Sequence, residues 1–402
     1  DPGTNCVEEL GGFVYPVAFT EYTDVLNANK FNAVRLPLYA RGVLDDPLLN
    51  TKRCGRLSHE NNKEPVKRYN EALKWVINQM AVRGIYVMLD MHSLAGEANA
   101  ATWCGADECN AANERVLVEA WTRLARDLCE SAPNVILADL FNVRRQRAPP
   151  PARATYVYIA CDIACDIACD IACDIACHIA CDIACHGARN SACMLLLPNL
   201  NSPPTLALTR TLMHPCSSVS VAGAQEPHGA SWAAWRDGAT RVGNAVLAAC
   251  PRWLIGVQGV GGGDGECAAY GGTACWWGEN IMGHLSAPVR LAVADRLVLL
   301  PHTYGHDPSK PYMHAADFPR NMPGVWDSLW GRVAREGRTP VIVGEWGGRM
   351  GGPAEQWQRE LQQYLAHRHM SYFYYALNSN SASVGGLYLD IDQGQKRAEI
   401  LS

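Results

Sequence analysis

The chain has 402 residues, 48% of them apolar and 19% charged, with 12 Trp and a formal net charge of −5. That supply of apolar residues is enough to bury one large core or two small ones, and the mildly acidic balance offers no basic field for nucleic acid and no polybasic surface for a membrane. No apolar run reaches the roughly 18 residues of a membrane helix, and a chain that opens at Asp1 without a signal-like segment reads as a processed product or a fragment.

In chain order, Phe19 to Lys30 has helical spacing and leads into an apolar strand, Phe31 to Leu38 (FNAVRLPL). Pro65 to Arg83 carries Pro in its first turn, apolar positions at 3–4 spacing and Gly84 as its stop, and is followed by the strand IYVMLDMH. Glu114 to Glu130 is a third amphipathic helix, feeding VILADLFN, Val135 to Asn142. Trp235 to Ala249 feeds WLIGVQGV, Trp253 to Val260. LVLLPHTY (Leu297 to Tyr304), PVIVGEW (Pro340 to Trp346) and YFYYALN (Tyr372 to Asn378) read as strands, with helices near Gly324 to Arg335 and Glu355 to His367. Buried strands alternating with crossover helices imply parallel pairing. Seven strands are legible where eight would close a (β/α)₈ TIM barrel, so the first, expected before Phe19, is missing or degraded.

Residues 143–225 interrupt this pattern after the fourth strand position. A Pro/Arg-rich opening, VRRQRAPPPARA, precedes a period-four tract of Asp-Ile-Ala-Cys from Ile159 to His186, which is low-complexity sequence. Its Cys and His178 and His186 lack the paired-ligand spacing of a zinc module, so no metal site is assigned. With the segment removed, Asn142 and Glu226 become neighbours in the phrase VILADLFNEPHGASW. The segment starts with Val, whose codons all begin GT, and ends with Gln, which CAG encodes, so a retained intron explains both edges. The expected organisation is a single barrel built from 1–142 and 226–402, split by an insertion at 143–225.

Nine of the 17 Cys fall inside the interruption; the other eight are Cys6, Cys54, Cys104, Cys109, Cys129, Cys250, Cys267 and Cys275. This even remainder, with close pairs in WCGADEC and ECAAYGGTAC, points to loop disulfides and an oxidising, extracellular setting.

The strand ends deliver Arg35, His92, Asn142 with Glu226, His302 with Tyr304, and Glu345. Polar groups on the C-terminal ends of successive barrel strands read as an active site, because that face carries it in this fold. Glutamates ending the fourth and seventh strands suit glycoside hydrolysis, in which one carboxylic acid protonates the leaving oxygen and one carboxylate attacks the anomeric carbon. The attacking group has to stay ionised, which cationic or hydrogen-bonding neighbours favour; Arg35 and Tyr304 suit Glu345, leaving Glu226 as acid/base. Trp276 and Trp277 in CWWGENIMG are candidates for stacking on a sugar chain.

FNAVRLP, VMLDMHS, ADLFN with EPHG, LLPHTYG, FPRNMPGVWDSLWG, VIVGEWGG and LNSNSASVGGL together resemble family 5 of the glycoside hydrolases, in particular its secreted endo-1,4-β-glucanases. The resemblance implies a metal-independent, cofactor-free, retaining enzyme acting on a β-glucan polysaccharide, with a β-mannanase or β-1,3-glucanase as the near alternative and a catalytically silent carbohydrate-binding barrel as the distant one. It implies that Glu226 is acid/base and Glu345 nucleophile, and that Arg35, His92, Asn142, His302 and Tyr304 line the substrate, Asn142 at the sugar 2-hydroxyl. Tyr375 stands where the family usually carries a Trp beneath the sugar, a smaller platform. A secreted monomer is expected, with no nucleic-acid or membrane partner.

Overall fold

The computed structural model describes residues 19–49, 66–94, 103–104, 108–142, 230–261, 275–305, 310–336, 339–377, 384, 386–390 and 395–396. The expected first strand, Glu226 and the whole of the interruption lie outside the described residues.

Helix α1 (Phe19–Ala28) precedes β1 (Ala33–Tyr39), the short α2 (Ala40–Asp45) and α3 (Tyr69–Val82) precede β2 (Tyr86–Ser93), and α4 (Ala111–Leu128) precedes β3 (Val135–Asp139). Then come α5 (Trp232–Ala249), β4 (Leu254–Gln258), the single turn α6 (Gly283–Ser286), β5 (Leu297–Leu300) and β6 (His302–Tyr304). Helices α7 (Met322–Trp326) and α8 (Arg332–Glu336), joined by a π-helical turn, lead to β7 (Val343–Gly347), and α9 (Gly352–His367) leads to β8 (Tyr372–Tyr374). A small antiparallel pair, β9 (Tyr388–Asp390) and β10 (Gln395–Lys396), follows and has no counterpart in the sequence reading.

Strands pair in chain order, β1 to β5 in one parallel run and β6 to β8 in another. The stretch read as one strand, LVLLPHTY, is divided at Pro301, which has no N–H to give to a ladder. The two runs nevertheless meet there: Leu299 bridges Val341 in parallel, and Gly344 N donates to the Pro301 carbonyl at 2.9 Å. The result is seven consecutive parallel strand positions, each fed by a helix, as the alternating pattern implied.

Two cores follow from the strand alternation. Outward-facing strand residues and the helices bury one large cluster that includes Trp121, Trp235, Trp253, Trp326 and Trp357. Helix tryptophans also fix strand ends, with Trp121 Nε1 donating to the Leu140 carbonyl at 3.0 Å and Trp235 Nε1 to the Gln258 carbonyl at 2.8 Å. Inward-facing Met88, Leu137, Val298 and Leu300 form a second, separate cluster. Gly256 lies within it because a Cβ there would come within 2.4 Å of Leu300 Cδ1 and 2.8 Å of Leu137 Cδ2. On β2 and β3 these apolar side chains, Met88 and Leu137, lie one level below the inward-facing polar side chains Asp90 and Asp139. Among the described residues no helix is long and apolar enough to cross a membrane.

The helix layer is stapled at α4 and α5. Cys129, which ends α4, is disulfide-bonded to Cys250, which ends α5, across 121 residues of sequence. Arg252 covers the same end of α4 with hydrogen bonds to the carbonyls of Cys129 and Ala132 at 2.6 and 2.9 Å. A bidentate Arg241–Glu114 pair, at 2.6 and 2.8 Å, joins the same two helices further along. Cys104–Cys109 closes a short loop, as its spacing suggested. The Cys129–Cys250 bridge was not legible from spacing, because only the packing of two helices brings those ends together. Since a long closed loop restricts the unfolded chain strongly, Cys129→Ser with Cys250→Ser is expected to destabilise the barrel by about 2–5 kcal/mol. A denaturant midpoint equal to that of the parent chain would contradict this.

Candidate active site

Three strands place carboxylates in the polar half of the interior, and β1 places a cation among them. Register pairs Asp90 of β2 with Asp139 of β3, so the two carboxyls share a face and a level. Arg35 starts one level lower, opposite Met88, and its length brings the guanidinium up to them. Its Nε donates to Asp139 Oδ2 at 3.0 Å and Nη2 lies 2.9 Å from the same oxygen and 3.1 Å from Asp90 Oδ2. Nη1 turns to the far wall and donates to Glu345 Oε2 of β7 at 2.7 Å. Burial alone works against the Arg35 charge, but Asp90, Asp139 and Glu345 outweigh it and hold the guanidinium protonated well above its ordinary range.

Glu345 is only 1% exposed and its two oxygens are held from different directions. Arg35 takes Oε2, and the Tyr304 hydroxyl donates to Oε1 in a short hydrogen bond. His302, opposite Glu345 in the β6–β7 register, puts Nδ1 at 3.6 Å from Oε2. Burial, with Arg35 and His92 nearby, pushes the His302 imidazole well below the usual histidine range, so it stands neutral beside the carboxylate.

On the β2–β3 side, Asp90 Oδ2 and His92 Nδ1 share a hydrogen bond at 2.7 Å. Asn142 Nδ2 lies against the same ring, 2.9 Å from Nδ1 and 3.1 Å from Nε2. The Asp90, His92 and Asn142 side chains therefore form a relay whose orientation begins at Arg35. Gln258 Nε2, from β4, donates to both Asp139 oxygens at 3.1 and 3.0 Å. Burial, opposed by Arg35, pushes the Asp139 carboxyl up to about 7.

Of the residues read from the sequence, Arg35, His92, Asn142, His302, Tyr304 and Glu345 converge on this one network. Trp276 sits at its edge, donating from Nε1 to the Tyr304 carbonyl and packing edge-to-face on the Tyr304 ring at 5.6 Å, with Lys310 Nζ 5.2 Å from its ring centre. Trp277 is half-buried next to it. Tyr375 is half-buried past the end of β8, its N–H donating to the Trp346 carbonyl at 2.7 Å. Glycine is required at 347 because a Cβ there would lie 2.0 Å from the Tyr375 carbonyl. Glu226, the expected acid/base, lies outside the described residues.

The sequence reading passed over Asp90, Asp139, Gln258 and Glu279, each at most 1% exposed. A signal was present for the first three: an ionisable or amide group inside IYVMLDMH, VILADLFN and WLIGVQGV is costly to bury without a partner. Asp90 and His92, two apart in a strand, also had to share a face. Glu279 gave no such signal, since it lies in a loop.

A profile described as cellulase (glycosyl hydrolase family 5) matches residues 9–146 and 218–381. An endoglucanase of Paenibacillus polymyxa is 41% identical over 177 residues, 41% of this chain and 43% of that protein. The major extracellular endoglucanase of Xanthomonas campestris pv. campestris is 37% identical over 177 residues, 41% of this chain and 35% of that one. The chain thus spans less than half the length of these curated relatives. Among solved structures, an endocellulase from Pyrococcus horikoshii in complex with cellotetraose aligns at TM-score 0.63 and 24% identity, covering 94% of this chain and 84% of that one. The catalytic domain of the Xanthomonas endoglucanase aligns at 0.62 and 23%, covering 94% and 86%. These likenesses show the fold, a (β/α)₈ barrel.

The two raised carboxyls have a thermodynamic consequence. Burial also pushes Glu279 up to about 7, against hydrogen bonds from Thr303 and the Trp276 N–H. Asp139 and Glu279 hold their protons more tightly folded than unfolded, so the folded chain binds more protons than the unfolded one between pH ~4 and ~7. Their contribution to stability is present at the acid end of that window and is lost as pH rises through it. Glu279→Gln, which cannot ionise, is expected to flatten this decline by on the order of 3 kcal/mol at most. Unfolding midpoints of the two forms that run parallel from pH 4.5 to 7.5 would count against it.

Proposed function

This chain belongs to glycosyl hydrolase family 5, and from that premise we propose that it is a retaining endo-β-glucanase that cleaves β-1,4-glucosidic bonds of cellulose-like polysaccharides. The observation that carries the reading is Glu345, buried at the end of β7 with one oxygen on Arg35 and the other on the Tyr304 hydroxyl. Held by donors on both oxygens, the carboxyl has a fixed orientation, which a nucleophile attacking an anomeric carbon needs.

In the proposed reaction Glu345 attacks the anomeric carbon, the glycosidic oxygen leaves with a proton from Glu226, and water then releases the sugar as Glu226 takes a proton back. Arg35, His92 and Asn142 line the sugar at the β1–β3 side, and Asn142, oriented through His92, faces the 2-hydroxyl. Tyr375, Trp276 and Trp277 supply aromatic surface for neighbouring sugar units. The two relatives named above are endoglucanases, which supports a β-1,4-glucan over a mannan or β-1,3-glucan. The disulfides Cys104–Cys109 and Cys129–Cys250 support a secreted protein, because such bonds persist in oxidising compartments.

Residues 143–225 are read as sequence inserted between Asn142 and Glu226, and the family profile, which passes from residue 146 to residue 218, supports this. Such an insertion separates the two halves of the chemistry. The first half, attack by Glu345, uses groups on the described strands. The other half, proton transfer to the leaving oxygen and then from water, depends on Glu226, whose place next to Asn142 the insertion removes.

Two outcomes test this. A 2,4-dinitrophenyl 2-deoxy-2-fluoro-β-cellobioside has a leaving group that needs no protonation, so the full chain is expected to be trapped as a covalent ester on Glu345, and Glu345→Gln is not. Peptide mass spectrometry that finds no ester, or finds it elsewhere, overturns the assignment and favours a silent carbohydrate-binding barrel. On carboxymethylcellulose, a variant lacking residues 143–225 is expected to turn over at least about 100-fold faster than the full chain, since displacements near 1 Å already cost about that much. Equal rates would make the segment a tolerated surface loop.

A further inference from the structure

Glu279 is a buried carboxyl that the chemistry above does not use. We propose that it is a positioning residue for the nucleophile: it ties the 275–280 loop to the outer side of β6 and so holds Tyr304 against Glu345. This rests on the assignment of Glu345 as nucleophile.

Glu279 Oε1 is 2.5 Å from Thr303 Oγ1, and Oε2 accepts the Trp276 N–H at 2.7 Å. Thr303 is the middle residue of the three-residue strand β6, between His302 and Tyr304. Strand alternation sends its side chain away from the interior that His302 and Tyr304 face, so Glu279 grips β6 from behind. The same loop holds the strand by its backbone, with His302 N donating to the Gly278 carbonyl at 3.1 Å. It holds Tyr304 by its carbonyl, which accepts from Trp276 Nε1, and by its ring, on which Trp276 packs. Gly278 also receives Gly259 N at 2.9 Å, which anchors the loop to the end of β4. At the far end of this chain of contacts the Tyr304 hydroxyl reaches Glu345.

β6 is short and begins just after Pro301, which has no N–H to give to the ladder. A side-chain clamp from the loop is therefore a substantial part of what sets its position. An apolar residue at 279 would fill the space but leave the Trp276 N–H and the Thr303 hydroxyl without this partner. The carboxyl accepts from both, from the Thr303 hydroxyl at Oε1 and from the Trp276 N–H at Oε2, and burial pushes it up to about 7. A glutamine keeps an acceptor for the Trp276 N–H and puts an amide N–H against the Thr303 hydroxyl, whose oxygen can accept it.

The test uses the full chain and the rate at which the 2-deoxy-2-fluoro cellobioside labels Glu345, which does not depend on Glu226. Glu279→Leu is expected to slow labelling about tenfold, and Glu279→Gln to stay within about twofold of the parent. Combined with Tyr304→Phe, Glu279→Leu should add no further loss, because the hydroxyl it positions is already gone. Labelling of Glu279→Leu at the parent rate, or losses that multiply in the double variant, overturns the proposal; the second result is what a merely structural role gives. If circular dichroism shows that Glu279→Leu does not fold, Thr303→Val, which releases β6 but keeps the Trp276 contact, carries the same comparison. A parent chain that is never labelled removes the nucleophile assignment and this proposal with it. A labelled parent with an unaffected Glu279→Leu removes this proposal alone.

Discussion

A single buried guanidinium shared among three carboxylates is the constraint on which the polar half of this barrel depends. Arg35 touches Asp90, Asp139 and Glu345, carried by β2, β3 and β7, and so joins walls that are far apart in the sequence. Removing charges from water costs several kcal/mol per ion, which only close partners with good geometry offset. Taking away one member strands the others, so the cluster restricts what each position can hold. It is poor as a source of net stability and strong as a device for setting direction: Nη1 reaches Glu345 because Nε and Nη2 are occupied by Asp139 and Asp90.

From that centre, orientation is handed outward through hydrogen bonds between neutral or singly charged groups. Asp90 holds His92 by Nδ1, and Asn142 lies against the same ring. Asp139 is steadied by Gln258 from β4. Tyr304 approaches Glu345 from β6, backed by the loop that carries Trp276 and Glu279. Each strand of the run from β1 to β7, except β5, thus contributes a side chain to one connected set. The apolar cluster of Met88, Leu137, Val298 and Leu300 lies beneath it.

The proposed insertion meets this arrangement at its most sensitive point. Loop closure grows only with the logarithm of length, so adding 83 residues (143 through 225) between β3 and α5 costs the fold little. The Cys129–Cys250 bridge and the Arg241–Glu114 pair also bind α4 to α5 on either side of that join. Positional accuracy has no comparable tolerance, because a catalytic group at a strand end is placed by its covalent neighbours. Fold and catalytic geometry respond to the same insertion on different scales.

Much of this was legible in the amino-acid order alone. Apolar runs of seven or eight residues alternating with amphipathic helices determined a parallel α/β barrel, because strands buried on both faces and crossover helices have few other ways to pack. Polar residues at the ends of those runs, Arg35, His92, Asn142, His302, Tyr304 and Glu345, determined where to look. The division of LVLLPHTY at Pro301 was readable in principle, since a residue without an N–H interrupts a ladder. What only the tertiary structure decided was partnership. That Asp90 and Asp139 stand side by side follows from strand register, that Cys129 reaches Cys250 from the packing of two helices, and that Glu279 reaches Thr303 from the path of a loop. Sequence spacing carries none of these, because local periodicity fixes the face on which a side chain lies, while contact across the barrel is set by how separate elements come together.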